Sequence, residues 1–442
     1  MMTTKNNHLY WLKWLCVASL CYTGSAVGQD QAQRSAENNV EFRIGYGYSD
    51  NILRDSTANI ESGYTAAGIT LDVNVDRPRL RFEALGDLDY LFYEESSVRN
   101  RPDGDIDASI AFRVVPERFE LYADGTYSQF RQNATLGDTP DNLSEFFVLR
   151  GGARGTIPIG QRSALQLDAS LSDRNFQDQD DLDSSETTIG LGLFRQIRPR
   201  SSVSLIANTS TVDYDDVAGT EYDILRLFVR YESVLGSGDF SVDLGLNQLD
   251  DESVANEDSA QPLLALTWSR EVGARSSLDI EASHRIVDLG SSANVGNVSG
   301  AAPGRSGRLT PTQSPFSETT LSFGQSTQLE RTLIGFGLNF AQQMYEDPAQ
   351  EDINVIGVNA FVRRDLTNTV TVSLGASLTE RVGIQTTTES DDLIATLALR
   401  KSFSRRLSAS LEYRFSTRDA SNNSDFDENA AFLSVSYSPT GN

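Results

Sequence analysis

The chain has few cysteines, histidines and lysines, and it has no long apolar run beyond its first residues. Its 442 residues include 2 cysteines and 2 histidines. Cys16 and Cys21 both lie near the amino terminus, so no disulfide can bridge the rest of the chain. Beyond residue 28 no stretch of about 20 apolar residues is present to form a membrane-spanning helix. These absences exclude a disulfide-stabilised domain and a helical membrane protein.

The charge balance is strongly acidic and almost free of lysine. The formal net charge is -25 at pH 7 and the mean hydropathy is -0.34. Nucleic-acid phosphates require a cationic partner, so we expect no nucleic-acid ligand. After residue 28 the only lysine is Lys401, and nearly every cation is arginine. The planar guanidinium suits pairing with carboxylates in a polar channel, although codon usage explains the bias equally well.

The first 28 residues have the pattern of a secretory signal peptide. Lys5 lies in a polar lead, an apolar run extends over residues 15–22, and small residues end at position 28. Neither cysteine follows a small residue, which argues against a lipoprotein site. We therefore expect that residues 1–28, with both cysteines, are removed. Residues 29–39 are then predicted to form a flexible periplasmic tail.

From Ile69 to Leu433 apolar and polar side chains alternate, most clearly in the stretch Arg79–Tyr93. Its apolar row is Leu80, Phe82, Ala84, Gly86, Leu88, Tyr90 and Phe92. Its charged row is Arg79, Arg81, Glu83, Asp87 and Asp89. Successive side chains of a β-strand point to opposite faces, so each strand has one apolar and one polar face. This repetition predicts an all-β fold, a transmembrane antiparallel up-and-down β-barrel with lipid outside and water inside.

The connections between these strands alternate between short and long. The short ones contain Arg, Pro or Gly, and the long ones are acidic. We predict a barrel of about 20 strands (18–20) over residues 40–442, with short periplasmic turns and long extracellular loops. Residues 273–276 are then periplasmic and residues 290–315 extracellular. A soluble sandwich or propeller is the alternative fold, but it would not require such biased turn lengths.

The polar row contains the charged residues that we predict to line the lumen. They are Arg79, Arg81, Glu83, Asp87, Asp89, Glu120, Asp124, Arg226, Arg230, Glu281, Arg285, Glu412 and Arg414. A barrel of about 20 strands is wide enough to enclose an aqueous channel, and opposed charges would set its selectivity. The alternative is that these charges pair across neighbouring strands and only keep the wall polar and rigid.

Aromatic residues cluster near the predicted strand ends and fit the girdles of an outer-membrane barrel. They are Tyr90, Phe92, Tyr93, Phe146, Phe147, Tyr345, Tyr413 and Phe415. Tyr93 and Tyr122 lie on the polar rows of their strands, which are predicted to face the lumen. Stacking on sugar rings in the lumen is therefore an alternative for these two residues.

Signals for catalysis and for metal binding are weak. His284, the only histidine after residue 28, shares the lipid-facing row with Ile280 and Ile286, and no recognisable nucleophile accompanies it. We predict no enzyme and no catalytic residue, with a lipid hydrolase as the minor alternative. Two acidic clusters, within residues 103–107 and 178–186, lack a calcium-loop pattern and are interpreted as solvated loops. No metal site and no cofactor are expected.

The segment Tyr46–Tyr90 resembles the start of porin-like outer-membrane barrels encoded with exopolysaccharide and exosortase (PEP-CTERM) gene clusters. The resemblance rests on an aromatic-rich strand that runs into Ser49-Asp50-Asn51-Ile52, on a strand over Ala66–Val75, and on the Arg79–Tyr93 strand. It implies the outer-membrane step of polysaccharide export. Outer-membrane barrels usually end on a terminal aromatic residue that is recognised during assembly. Here Ser438–Asn442 follow Tyr437, so the expected assembly signal differs from the usual one.

Together these observations predict a channel in the outer membrane of a Gram-negative bacterium. The expected function is exopolysaccharide export, with a general or substrate-specific diffusion porin for small solutes as the alternative. The expected partners are outer-membrane lipid and lipopolysaccharide, the barrel-assembly machinery, the polysaccharide itself and periplasmic export proteins. The sequence does not name the solute.

Overall fold

The computed structural model describes residues 38–56, 59–132, 139–215, 221–251, 259–287, 315–345, 351–386, 388–422 and 424–439. The predicted signal peptide, residues 1–28, lies outside the described residues, as does most of the predicted tail. The first strand begins at Asn39, where that tail was predicted to end.

Twenty strands follow one another along the chain. In order they are β1 Asn39–Ser49, β2 Ser62–Asp76, β3 Leu80–Tyr93, β4 Arg101–Val115, β5 Phe119–Arg131, β6 Leu143–Pro158, β7 Ser163–Phe176, β8 Ser184–Arg198, β9 Ser201–Tyr214, β10 Glu221–Val234, β11 Gly238–Asp251, β12 Ser259–Glu271, β13 Ser276–Val287, β14 Phe316–Gln328, β15 Thr332–Tyr345, β16 Ile353–Thr367, β17 Val370–Gly383, β18 Glu389–Ser402, β19 Leu407–Ala420 and β20 Phe426–Tyr437. Short 3₁₀ turns cover Pro140–Asn142 and Asp180–Leu182. No helix in the described part of the chain is long and apolar enough to cross a membrane.

The strands form one closed antiparallel sheet. Each strand pairs with its neighbours in sequence, and β1 also pairs with β20, where Phe42 lies opposite Tyr437. Closure gives the edge strands partners and leaves no free sheet edge. The predicted up-and-down barrel of about 20 strands is therefore confirmed.

Contacts between strands that are not neighbours identify the inner face of the barrel. The Arg43 guanidinium on β1 reaches Asp89 on β3, and Arg400 on β18 reaches Glu41 on β1. Side chains can meet across an intervening strand only on the concave side of a sheet. The residues with the opposite parity are apolar and exposed, for example Ile44 at 63 % and Leu171 at 66 %. An apolar exterior on a closed barrel requires a bilayer, so the chain is an outer-membrane protein.

The connections alternate between short and long along the whole barrel. The sequence pattern did not locate one of them, the long connection between β9 and β10. β9 ends at Tyr214 and β10 begins at Glu221. Asp213 and Asp223 are polar strand residues on either side of this connection, and the connection itself begins with Asp215. Because the acidic composition does not change at the strand ends, composition alone could not locate them.

The inner face is not polar along its whole height. Near the long loops it carries the buried cluster Phe130, Phe146, Val148, Phe176 and Leu182. A second buried cluster contains Val212, Tyr214, Tyr222, Ile224 and Leu249, together with Ile286. Ile286 had been predicted to face lipid with His284, but it is 1 % exposed and packs in this cluster.

Three of the predicted girdle aromatics lie inside the barrel: Tyr93, on the inward-facing row of β3, and also Phe146 and Tyr345. Phe146 is 5 % exposed within the first inner cluster, and the Tyr345 ring lies 5.1 Å from the ring of Phe316. Where Phe146 is followed by Phe147, both residues are apolar, so the sequence could not tell which of them faces lipid. The tertiary structure decides by packing Phe146 against Phe176.

Candidate functional site: the charged inner wall

The strand register places the predicted lumen residues on one face of the sheet. Arg81, Glu83, Asp87 and Asp89 lie on β3, Glu120 and Asp124 on β5, Arg226 and Arg230 on β10, Glu281 and Arg285 on β13, and Glu412 and Arg414 on β19. All of them point to the same face of the sheet as Arg43 on β1. Arg79 lies in the turn just before β3. Whether they define a conducting path stays a prediction.

Arg43 is the centre of a cluster that the sequence analysis did not single out. Its Nη2 lies 2.8 Å from Asp87 Oδ1 and 2.6 Å from Asp89 Oδ2, and its Nε donates to Asp89 Oδ1 at 3.2 Å. The cluster links β1 to β3 across β2. The sequence did contain a signal for this inward position. Arg43 lies between Phe42 and Ile44, which face lipid, so its own side chain points to the lumen.

Several predicted lumen charges pair with the strand beside them. Arg230 donates through Nε and Nη2 to the two carboxylate oxygens of Asp243, each at 2.7 Å. Glu120 lies 3.9 Å from both Arg113 and Arg154. For these residues the structure shows the cross-strand pairing that was the alternative to a selectivity role.

A second network stabilises the position where the barrel closes. The Glu428 side chain on β20 is 2 % exposed and accepts hydrogen bonds from Ser49 at 2.9 Å, Arg54 at 2.9 Å and Arg414 at 3.2 Å. Asp392 on β18 pairs in the same way with Arg418 at 3.1 Å and with Arg381. The predicted lumen residues include Arg414 of this network, but the sequence did not indicate its pairing with Glu428. Glu428 meets Ser49 and Arg54 across the closure of the barrel, which joins residues far apart in the chain.

Other lumen charges have no ion pair with any described residue. These are Arg81, Glu83, Arg226, Glu281 and Glu412. Arg285 forms no ion pair either, but it lies directly opposite Glu318 on β14. The Arg226 guanidinium donates to the carbonyl oxygen of Ile286, at 3.4 Å. Glu83 and Glu412 are exposed on the inner face. Because Glu83 and Glu412 are exposed and form no ion pair with the described residues, these two are the best candidates for setting ion preference.

The first acidic cluster is not the solvated loop that the sequence predicted. Asp103, Asp105 and Asp107 lie within β4 on the inner face, and the first two are opposite Asp89 and Asp87. β4 begins at Arg101, so the whole cluster at residues 103–107 belongs to a strand. The acidic, glycine-containing composition resembled a loop, and only the strand pairing reveals a strand. Among the described residues no group of acidic, histidine or cysteine side chains could hold a metal ion.

The second acidic cluster forms a tight turn between β7 and β8. Leu182 is 5 % exposed and packs in the first inner cluster, while Asp183 Oδ1 accepts a hydrogen bond from the Phe176 amide at 2.7 Å. Burial raises the pKa of the Asp183 carboxyl, and the nearby charges of Asp180 and Asp215 add to the increase. This cluster therefore shapes a loop.

His284 lies on the lipid-facing row, as its parity predicted. It is opposite Leu264, and its Nδ1 lies 2.8 Å from Thr319 Oγ1 on the neighbouring strand. A nucleophilic site would need a carboxylate or another group to orient the imidazole. In the described part of the chain the hydrogen-bond partner of His284 is this threonine, and no carboxylate holds the ring.

No protein-family model matches the chain, and no curated protein matches it. Among solved structures, the siderophore receptor PirA from Pseudomonas aeruginosa is similar with a TM-score of 0.44 and 10 % identity, covering 92 % of this chain and 81 % of that chain. The FrpB iron transporter from Neisseria meningitidis (F3-3 variant) has a TM-score of 0.44 and 8 % identity, covering 90 % and 81 %. A mutant ferric enterobactin receptor from P. aeruginosa, in complex with enterobactin, has a TM-score of 0.45 and 10 % identity, covering 92 % and 82 %.

Proposed function

We propose that this chain is an outer-membrane channel that exports exopolysaccharide through a charged, water-filled lumen. The observation that carries the proposal is the set of unpaired charges on the inner face of a closed 20-stranded barrel. A barrel of this size encloses a wide interior, and Glu83 and Glu412 are exposed there.

The chemistry of the inner wall supports a polyhydroxylated solute. Hydroxyl groups face the interior in cross-strand pairs, for example Ser410 with Ser434 at 2.8 Å. Aromatic rings also face inward, where Tyr64 lies 5.9 Å from Tyr93 and 6.0 Å from Phe432. Sugar chains offer hydroxyls for such a polar wall and ring faces for such aromatic side chains. The resemblance of Tyr46–Tyr90 to barrels encoded with exopolysaccharide genes supports the same class of solute.

A diffusion porin for small solutes is the second candidate function. It is favoured by the neutralised part of the wall, where pairs such as Arg230–Asp243 give a rigid, polar surface without a strong net field. Single-channel current in the presence of soluble polysaccharide fragments separates the two functions. An exporter is expected to show current block by the fragments, whereas a small-solute porin excludes them and shows none.

The channel itself is tested by neutralising Arg79, Arg81, Arg226 and Arg230 to Gln together. We expect the parent barrel to conduct in a planar bilayer and the variant to prefer cations more strongly. The reason is that the inner face then keeps its carboxylates while losing four cations, and Asp243 is released from its pair with Arg230.

The matched control changes the net charge equally but on the outer face, at Arg195, Arg270, Arg364 and Lys401 to Gln. This control variant should have the same ion preference as the parent. A parent that stays electrically silent, or a lumen variant with unchanged selectivity, would rule out a passive charged channel.

A further inference from the structure

The outer face of the barrel carries a set of cations at one end only. On four strands that run towards the short turns, the lipid-facing row carries near its end an apolar residue followed, two positions later, by a cation. The pairs are Leu193 and Arg195 on β8, Trp268 and Arg270 on β12, Val362 and Arg364 on β16, and Leu399 and Lys401 on β18. We name these four cations the basic rim.

The register shows that the basic rim points outward. Arg195 lies opposite Val203, Arg270 opposite Leu278, and Lys401 opposite Val370, all on the lipid-facing row. The four cations are exposed. A side chain with this parity cannot reach the lumen, so the basic rim does not belong to the candidate channel.

The basic rim has no carboxylate partner in the described part of the chain. Arg195, Arg270 and Arg364 form no ion pair there, and Lys401 Nζ donates to the Thr369 hydroxyl at 2.8 Å. The nearest acids in sequence, Glu271 and Asp365, come one position after a rim arginine and therefore have the inward parity. The positive charge at this end of the outer face is consequently not neutralised by the protein.

The opposite end of the outer face has the opposite charge. Near the long loops the outward row carries Asp173, Asp213, Asp223, Asp391 and Asp419. The outer surface thus changes from acidic, through an apolar band, to basic along the barrel axis. This separation identifies the basic rim as a property of one membrane face and not of the overall composition, which is acidic.

The depth of the basic rim corresponds to lipid headgroups. Two residues along a strand span about 6.6 Å, so each cation lies about that distance beyond the apolar residue that precedes it. One more exposed apolar residue follows each cation at the short turn: Ile197, Val272, Leu366 and Phe403. The cations therefore lie at the end of the apolar surface, with apolar side chains on both sides. Trp268, next to Arg270 on this row, is a residue type enriched at the membrane–water interface. Long cationic side chains place their stems on apolar surface and their charged ends among headgroups.

We propose that the basic rim binds the anionic phospholipid headgroups of the leaflet that faces the short turns. In the orientation predicted above, this is the periplasmic leaflet. The arginine forks donate in pairs to phosphate oxygens, and lysine adds a point charge. A periplasmic protein would contact the turn tips, whereas these side chains lie on the row that faces lipid. This site does not depend on which solute the lumen carries.

Trp268 allows a direct test, because Trp11 and Trp14 are the other tryptophans of the chain. In the full chain with Trp11→Phe and Trp14→Phe, fluorescence then reports lipid beside Arg270. The barrel is reconstituted in vesicles of phosphatidylcholine with a minor fraction of phosphatidylglycerol. Bromine quenchers are carried by the phosphatidylglycerol in one set and by an equal amount of phosphatidylcholine in the other. We expect a local preference for phosphatidylglycerol of about fivefold, which corresponds to about 1 kcal/mol for one cation near an anionic surface.

Arg270→Gln should remove this preference, and Arg270→Lys should retain most of it. Arg226→Gln changes the net charge equally on the inner wall and should leave the preference intact. A second reporter, Leu399→Trp in a Trp268→Phe barrel, should respond in the same way to Lys401→Gln. Equal quenching in both vesicle sets for the parent would overturn the lipid assignment. An acidic protein would then be the expected partner of the basic rim. Equal loss in Arg226→Gln would also overturn it, because the effect would then be one of net charge.

Discussion

Arg43 shows at the scale of one residue how the inner wall is stabilised. Its guanidinium contacts both Asp87 and Asp89, and its side chain is 18 % exposed. Arg43→Met removes the donors and leaves two neighbouring carboxylates. We expect the free energy of unfolding to fall by about 1.5–3 kcal/mol, the range for hydrogen bonds to charged groups. Urea titration of the folded barrel in vesicles measures this change.

The matched control is Arg99→Met at the exposed pair with Asp178, whose side chains are 58 % and 45 % exposed. Solvent-exposed ion pairs contribute at most about 1 kcal/mol. If the two substitutions cost the same, the Arg43 cluster contributes no more than a surface pair.

The two faces of a strand predict opposite tolerances for a new charge. Leu411 is 51 % exposed on the lipid-facing row, whereas Ser410 faces inward and pairs with Ser434. Leu411→Arg should cost about 2–4 kcal/mol if it lies near the bilayer midplane. Ser410→Arg should cost about 1 kcal/mol, from one lost hydrogen bond. Folding yields and unfolding curves in bilayers compare the two variants, and equal losses would contradict the assignment of faces.

At the scale of elements, β3 and β4 approach each other closely at two glycines. Gly86 has φ +153° and Gly104 has φ +131°, both within the region that side chains rarely adopt. A Cβ at Gly86 would collide with the backbone of Asp105 and Ile106. Gly86→Ala should therefore lower the free energy of unfolding by at least about 2 kcal/mol, from backbone strain and overpacking.

Gly155 on β6 is the control for this substitution. A Cβ there would meet nothing within 4 Å. Gly155→Ala should change stability by less than about 1 kcal/mol, the span of strand propensities. Thermal or urea unfolding of both variants tests the comparison, and similar stabilities would mean that β3 and β4 can separate without cost.

The strands themselves were predictable because a strand has a side-chain period of two, which is visible in sequence. The alternation found the stretch Arg79–Tyr93, and β3 covers Leu80–Tyr93. Prediction failed where neighbouring residues do not alternate between apolar and polar. Consecutive apolar residues, such as Phe146 and Phe147, and the acidic start of β4 fit either face or a loop equally well.

At the scale of the whole molecule, the alternation of short and long connections predicts the orientation in the membrane. In a chain with both cysteines changed to Ser, Ala274→Cys lies in the short turn between β12 and β13, and Ser97→Cys lies exposed in the long connection between β3 and β4. On intact cells an impermeant thiol reagent should label position 97 and not position 274. Disrupted cells, in which both positions should react, provide the control. Equal labelling on intact cells would reject the predicted orientation. The predicted loop at residues 290–315 lies almost entirely outside the described residues.

The sequence by itself determined the class of fold, the approximate number of strands and the parity of the charged rows. These properties depend on the local alternation of residues and on turn composition, and both can be read along the chain. The predicted lumen residues follow from the same parity, which is why they share one face in the structure.

Only the tertiary structure decided which charges are neutralised and where the inner face becomes apolar. Glu428 finds Arg54 because β20 closes onto β1, and Arg43 finds Asp89 because the sheet is concave. Such pairs depend on register and curvature, which act between residues distant in sequence. The basic rim also could not be identified from sequence alone. Which face the last side chains of a strand point to is decided by the register with the neighbouring strands.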